Sequence, residues 1–357
     1  TRFVNEDKGD AKDMKKTILA ITIALALALS VFAFTACGDE APDSGDKDGV
    51  TVLASVSDVY RDITGHDFPM AGLFARGDIL ETDPDLVEEI DSSVETSVKN
   101  FNDDIDAVSA KAETIEGFSL KAGVIKKAYQ KMNVRYKDAS ASESDVTALL
   151  ENIGAAVSDD LFAGDLTGEA TATETEYSLY APDGAPVLAL ADMWGEDFEK
   201  VDMTYTVTAE TNVAQLMSSG EADFIVAPIN VGAQMHAGYK AGNMKHDYKL
   251  VNVTSWGVVY FTTNEDGYKA RSEYADGVDG AKEFLVQFDG DTVSTIGLAA
   301  IPGKTVQYLF EQADADVTVN GSDASTIQQA YIKGDATTAI FAEPAITAVN
   351  TQLAAAK

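Results

Sequence analysis

Cysteine, histidine and proline are scarce in this 357-residue chain, and basic side chains are outnumbered. Cys37 is the single cysteine, so no disulfide can form within the chain. Of the three histidines, His66, His236 and His246, no two stand at metal-ligand spacing, which leaves a zinc or mononuclear iron site without sequence support. Lys and Arg total 26 against 59 Asp and Glu, a formal net charge of −33. A field of that sign repels nucleic acid and is not drawn to anionic lipid, so DNA and RNA binding are set aside. The same self-repulsion favours a soluble monomer. Catalysis is also thinly provided for, since no nucleophile–base pair stands out and three histidines make a poor acid–base set.

What is present is an ordinary globular balance, 45% hydrophobic and 24% charged. The length exceeds what one compact core usually serves, so two lobes are expected.

The amino end carries an export pattern. Residues 1–13 (TRFVNEDKGDAKD) read as an extension upstream of Met14. Lys15 and Lys16 then form a basic start, and Thr17 to Ala36 is free of charge. A run of that length also satisfies a membrane span, but Phe34-Thr35-Ala36-Cys37 follows directly and resembles the lipobox of bacterial lipoproteins. There the cysteine takes a diacylglyceryl group and becomes the first residue after cleavage; Phe34 stands where an aliphatic residue is usual. The acidic stretch at 38–50 reads as a tether.

From about residue 177 onward strands alternate with helices of about ten residues, which predicts βαβ units and largely parallel sheets. Residues 51–60 and 69–76 read as strands. In between and beyond, Asp83-Pro84 forms a helix start, and Leu86, Val87, Ile90, Val94, Val98 and Phe101 recur at helical spacing. Residues 163–176 lack an apolar period and read as a linker.

Four places combine a strand end, a turn-forming Gly or Pro and a helix start: 182–186, 227–230, 300–305 and Glu343-Pro344. In a parallel α/β sheet, ligands bind beyond the carboxyl ends of the strands, where helix starts offer free N–H groups. Each of the four, taken alone, is equally an ordinary βα turn. Trp256 reads either as a core residue or as an aromatic wall between lobes, with Gly257 allowing close approach. His236 reads as a surface or capped residue.

The segments PDGAPVLALA, GEADFIVAPINVGA, YKLVNVTSWGVVYF, TVSTIGLAAIPGKTVQYLFEQ and TTAIFAEPAITA resemble, in that order, the body of an ABC-transporter substrate-binding protein. The resemblance covers about 177–350 and is to the type II periplasmic-binding-protein group that includes nitrate, sulfonate and taurine receptors. It implies an α/β fold of two lobes, each a mostly parallel sheet flanked by helices, with a cleft and hinge between them. Residues 51–101, with Asp67 to Gly72 at the crossover, resemble the carboxyl-terminal part of such proteins, here placed first. The order implied is a circular permutation, in which 160–176 joins the family's old termini; a misassembled gene is the alternative. Lobe 1 is expected over 73–257, including that linker, and lobe 2 from 51–72 together with 258–357.

Carried over by position, the resemblance lines the cleft with Gly184, Ala185 and Pro186, and with Pro228, Ile229 and Asn230 beside them. Ser255, Trp256 and Gly257 stand at the hinge. Pro302, Gly303, Lys304 and Thr305 face them, with Glu343 near the floor. Asn230, Ser255 and Thr305 are the expected hydrogen-bonding side chains. The implied function is capture of a small solute for an ABC importer permease, without enzymatic activity or cofactor and with Cys37 as the lipid anchor. Helix starts favour an anion such as a sulfonate or carboxylate, while Trp256 suits a small heterocycle equally well. Enzymes of menaquinone- or thiamine-precursor synthesis with the same fold, or a surface solute sensor, are the competing functions.

Overall fold

The computed structural model describes residues 49–164, 166, 170–171, 176–198, 201–335, 337–343, 345–347 and 349–350. The export pattern with Cys37, most of the tether, part of the 160–176 linker and Pro344 lie outside the described residues. Among those described, no helix is long and apolar enough to cross a membrane.

Strand β1 (Thr51–Ser55) is shorter than its sequence expectation, because Ser55 caps helix α1 (Val56–Thr64) by accepting a bond from Ser57 N. Val56, Val59 and Tyr60 then fall on one buried helical face, which outweighs their strand propensity. The chain next forms β2 (Pro69–Arg76), α2 (Gly77–Thr82), α3 (Pro84–Asp103), α4 (Ile105–Ala112) and α5 (Ala122–Ala128). A strand that sequence reading misses, β3 (Val134–Asp138), leads into α6 (Ala139–Asn152). In α3 the six apolar residues at helical spacing are all buried against one core, each worth on the order of 1.5–3 kcal/mol.

Then come β4 (Glu176–Pro182), α7 (Ala185–Leu190), β5 (Asp202–Thr208), α8 (Val213–Ser219), β6 (Phe224–Pro228), α9 (Ile229–Lys240) and β7 (Tyr248–Trp256). Helix α7 stops sooner than its apolar run suggests. Just beyond it, Asp192 is held by Asn100 and Ser97 of α3, and the turn closes at Gly195 with φ +83°. The last part holds β8 (Val259–Thr263), α10 (Gly277–Val286), β9 (Thr292–Ile296), α11 (Ile301–Gln312), β10 (Thr318–Ser322), α12 (Ala324–Lys333) and β11 (Thr338–Ala342).

These strands make two mixed sheets flanked by helices. One has the order β1-β8-β11-β9-β10, the other β3-β7-β2-β6-β4-β5. Strands β9, β10 and β11 run parallel, as do β4, β5 and β6. Among the described residues the chain passes between the sheets twice, at 65–68 and at 257–258, and the two passages lie side by side. Pro69 pairs with Trp256, and Val258 N lies 3.4 Å from the Met70 sulfur. The first and last described segments also meet, since Val50 N donates to the Asn350 side chain at 2.7 Å.

Candidate functional site

The register sets which ends of the two sheets face the crossings. Strand β2 enters its sheet from the first crossing and runs antiparallel to β6, pairing Ala71 with Pro228. The carboxyl ends of β4, β5 and β6 therefore lie at the crossing end. Strand β8 leaves the second crossing antiparallel to β11, pairing Val259 with Ala342, so the carboxyl ends of β9, β10 and β11 lie there too. All four predicted strand-end segments thus gather at one end of the two sheets.

Within that end their environments differ. Gly184 has φ +109°, a conformation that side chains resist, and a Cβ there would meet nothing within 4 Å. The turn is pinned by Asp183, whose carboxylate accepts from Ser119 N at 3.1 Å. Ala185 and Pro186 open α7 and are half-buried, as are Pro228 and Asn230, while Ile229 is fully buried. No side chain among the described residues caps the starts of α7, α9 or α11.

Ser255, Trp256 and Gly257 are buried at the second crossing. Trp256 is the core residue of the two readings: it is fully buried, its indole N–H donates to Arg135 O at 3.0 Å, and two cations lie over its ring. Arg135 Cζ is 4.9 Å and Lys137 Nζ 4.6 Å from the ring centroid. Gly257 permits close approach of protein, not of ligand, since a Cβ there would sit 2.4 Å from Ser57 Cβ.

On the other sheet, Gly303 lies beneath its own loop, where a Cβ would come within 2.5 Å of Gly297 O. Pro302 is half-buried beside it. Lys304 turns toward the other unit and donates to Ile153 O, at the carboxyl end of α6, at 3.1 Å. Thr305 is fully buried and its hydroxyl has no partner among the described residues. Glu343 is buried, accepts from the Thr347 hydroxyl at 2.9 Å and pairs with Lys131 at 3.4 Å. Lys131 precedes β3, so this pair links the two sheet units, as does the bond from Tyr260 OH to Lys131 O. Cavities of about 420 Å³ and about 230 Å³ both lie away from these segments.

Sequence reading missed two charged clusters. At the first crossing Asp67 receives Arg61 at 2.8 Å and Lys137 at 2.9 Å, while Asp145 receives Lys137 at 3.0 Å and the Asp67 backbone N–H at 3.1 Å. Burial alone would raise the Asp67 pKa, but the bonds from Lys137 and Arg61 and the nearby charge of Arg135 hold it below the ordinary carboxylate value. At the far end of the six-stranded sheet His236, expected on the surface or in a cap, is fully buried between Asp160 and Asp247. Asp160 stands 76 residues away in the chain, so no local pattern announces the contact. No group of His, Cys, Asp and Glu among the described residues is arranged to hold a metal ion.

No family model matches this chain, and no curated protein or solved structure matches it either.

Proposed function

We propose that the chain is a solute-binding lipoprotein, in which the two sheet units are lobes that close on a small molecule and hand it to an ABC importer permease. The observation that carries this reading is the gathering of both sets of parallel-strand ends at the end where the chain crosses between sheets. Two adjacent crossings are the least connection that lets one unit swing against the other, and the loops facing across them would meet any ligand held there. The uncapped starts of α9 and α11 supply backbone N–H groups, which suits a small anion; its stabilisation there comes from fixed dipoles at short range, where the overall negative field is screened. Asn230 is a half-buried polar side chain at the start of α9, and Thr305 is a buried hydroxyl without a partner among the described residues.

Two features support the permuted order. Strand β1 joins β8 in the sheet built from the last third of the chain, and Val50 bonds Asn350, as adjoining new ends require. The anchor in this reading is Cys37, with the 38–50 tether spanning from membrane to lobes and the acidic body keeping the molecule monomeric.

Thermal unfolding of residues 38–357 against a panel of sulfonates, carboxylates and small heterocycles tests the reading. A ligand of the native state adds about 2.7 kcal/mol at a hundredfold excess over its dissociation constant, enough for a clear rise in melting temperature. A shift from one compound class names the solute class. A flat response across the panel, with unfolding still cooperative, removes the support for solute capture.

A further inference from the structure

The far end of the six-stranded sheet holds a device that solute capture does not use. His236 of α9 has no exposed surface, yet both its ring nitrogens face carboxylates: Nδ1 is 2.7 Å from Asp247 and Nε2 is 3.0 Å from Asp160. An ionised carboxylate can only accept, so both nitrogens must donate, and only the imidazolium does that. The charges around the ring favour this form. Lys240, at the end of α9, lies 2.5 Å from Asp160. Lys249 of β7 lies 3.7 Å from Asp160 and 3.6 Å from Asp247, and also donates to the Asp160 backbone carbonyl. These lysines keep Asp160 ionised, and its pKa is held far below the ordinary value by the bonds from Lys240, Ser158 and His236. Burial opposes charge on His236 and Lys249 repels it, but the two carboxylates outweigh both and its pKa stands above the ordinary imidazole value.

Asp160 belongs to the connector between α6 and β4, which lies along the sheet as an extra parallel stretch. Leu250 N donates to Leu161 O at 2.9 Å, Ala163 N donates to Leu250 O at 2.8 Å, and Phe162 bridges Leu250. Phe162, Ala163 and Gly164 then form one wall of the cavity of about 420 Å³. Asp247 and Lys249 of the clasp line the same cavity, with Lys245 and His246 ahead of β7, Arg76 of β2, and Asp78 and Glu81 of α2.

We infer that His236 is a pH-sensitive clasp, which in its protonated form holds the 158–163 connector against β7 and closes one wall of this cavity, and which releases that wall when the ring loses its proton. A neutral ring has one donor, so one of the two carboxylates then faces a lone pair at about 3 Å instead of an N–H. The direction follows from the raised pKa: the contribution is complete below the pKa of an unfolded histidine and is lost as pH rises through the folded value. Opening therefore follows a rise in pH.

The test is ring-proton NMR of His236 together with amide exchange at Ala163 and Leu250 in the intact protein, between about pH 6 and about pH 10. With the intrinsic base-catalysed rate divided out, protection at those two amides is expected to fall roughly tenfold over the range in which the His236 ring titrates, while Leu73 and Phe74 in central β2 keep theirs. His236→Gln, which retains one donor, is expected to show the lowered protection at every pH. Unchanged protection as the ring titrates, or a ring already neutral at about pH 6, overturns the clasp; both readings come from the native chain, so they decide the matter even where the substitution prevents folding.

Discussion

The two ends of the six-stranded sheet both place carboxylates around a cation, Lys137 at one and His236 at the other. At the crossing end Asp67 is held by Arg61 and Lys137, whose charges persist throughout the neutral range. At the far end Asp160 and Asp247 enclose a histidine, the side chain whose charge is lost nearest neutrality. Similar geometry therefore gives opposite responses to pH. Stability linked to Asp67 is complete above the pKa of an unfolded aspartate and is lost only as pH falls through the lowered folded value. Stability linked to His236 is lost as pH rises. The Asp67 pairs at the crossing end are lost only in acid, and the clasp on the opposite end is lost as pH rises.

The sharpest way to break this contrast is to remove the aromatic support of the crossing end. Trp256→Ala deletes a fully buried ring that carries two cations and bonds the Arg135 carbonyl, so a loss of about 3–5 kcal/mol is expected in urea unfolding. A loss below about 1 kcal/mol would mean that the crossing is not the rigid end. Asp67→Asn comes next, at about 1–2 kcal/mol near neutrality, because it takes the shared carboxylate from Arg61, Arg135 and Lys137 and leaves Lys137 with Asp145 and Arg61 with the exposed Asp58. Its pH profile is the more telling measurement. The gap between the native protein and Asp67→Asn should stay constant from about pH 6 to about pH 9 and close only in acid; a gap that narrows toward alkaline pH would erase the difference between the two ends. Lys131→Met is the mildest, within about 1 kcal/mol, since Lys131 is 56% exposed although its partner Glu343 is buried. Its readout is shape: small-angle scattering should show a larger mean radius if this pair helps hold the two units together, and an unchanged radius assigns that work to the apolar contacts.

Periodicity made the secondary structure legible where one face of an element decides burial. Helix α3 follows from six apolar residues at helical spacing, and the alternation after residue 177 follows from short β-branched runs punctuated by Gly220, Pro228 and Gly334. Strand β3 escaped because Val-Arg-Tyr-Lys-Asp carries its cations into the cluster with Asp67 and Asp145, so it reads as a polar loop. The candidate segments could be placed at strand ends, but their chemistry could not be assigned. Lys304 donates to the Ile153 carbonyl just beyond α6, Gly303 packs under its own loop, and Trp256 sits in a core formed by two crossings distant in sequence. The outcomes for Lys304 and Trp256 depend on neighbours far along the chain, as does the burial of His236, and no local pattern encodes such a neighbour.

The side-by-side placement of β1 and β8 bears on how the molecule is made. The six-stranded sheet draws its strands from one uninterrupted stretch, 69–256, whereas the five-stranded sheet needs 51–55 together with 259–342. During synthesis the first strand therefore emerges with no partner, and it must wait while the whole six-stranded unit is built. Closing β1 onto β8 spans about two hundred residues, but if the intervening stretch has already folded, the loop left to close is short and the entropic cost modest. The topology suits an order of assembly in which the middle of the chain folds first and brings the two outer portions together.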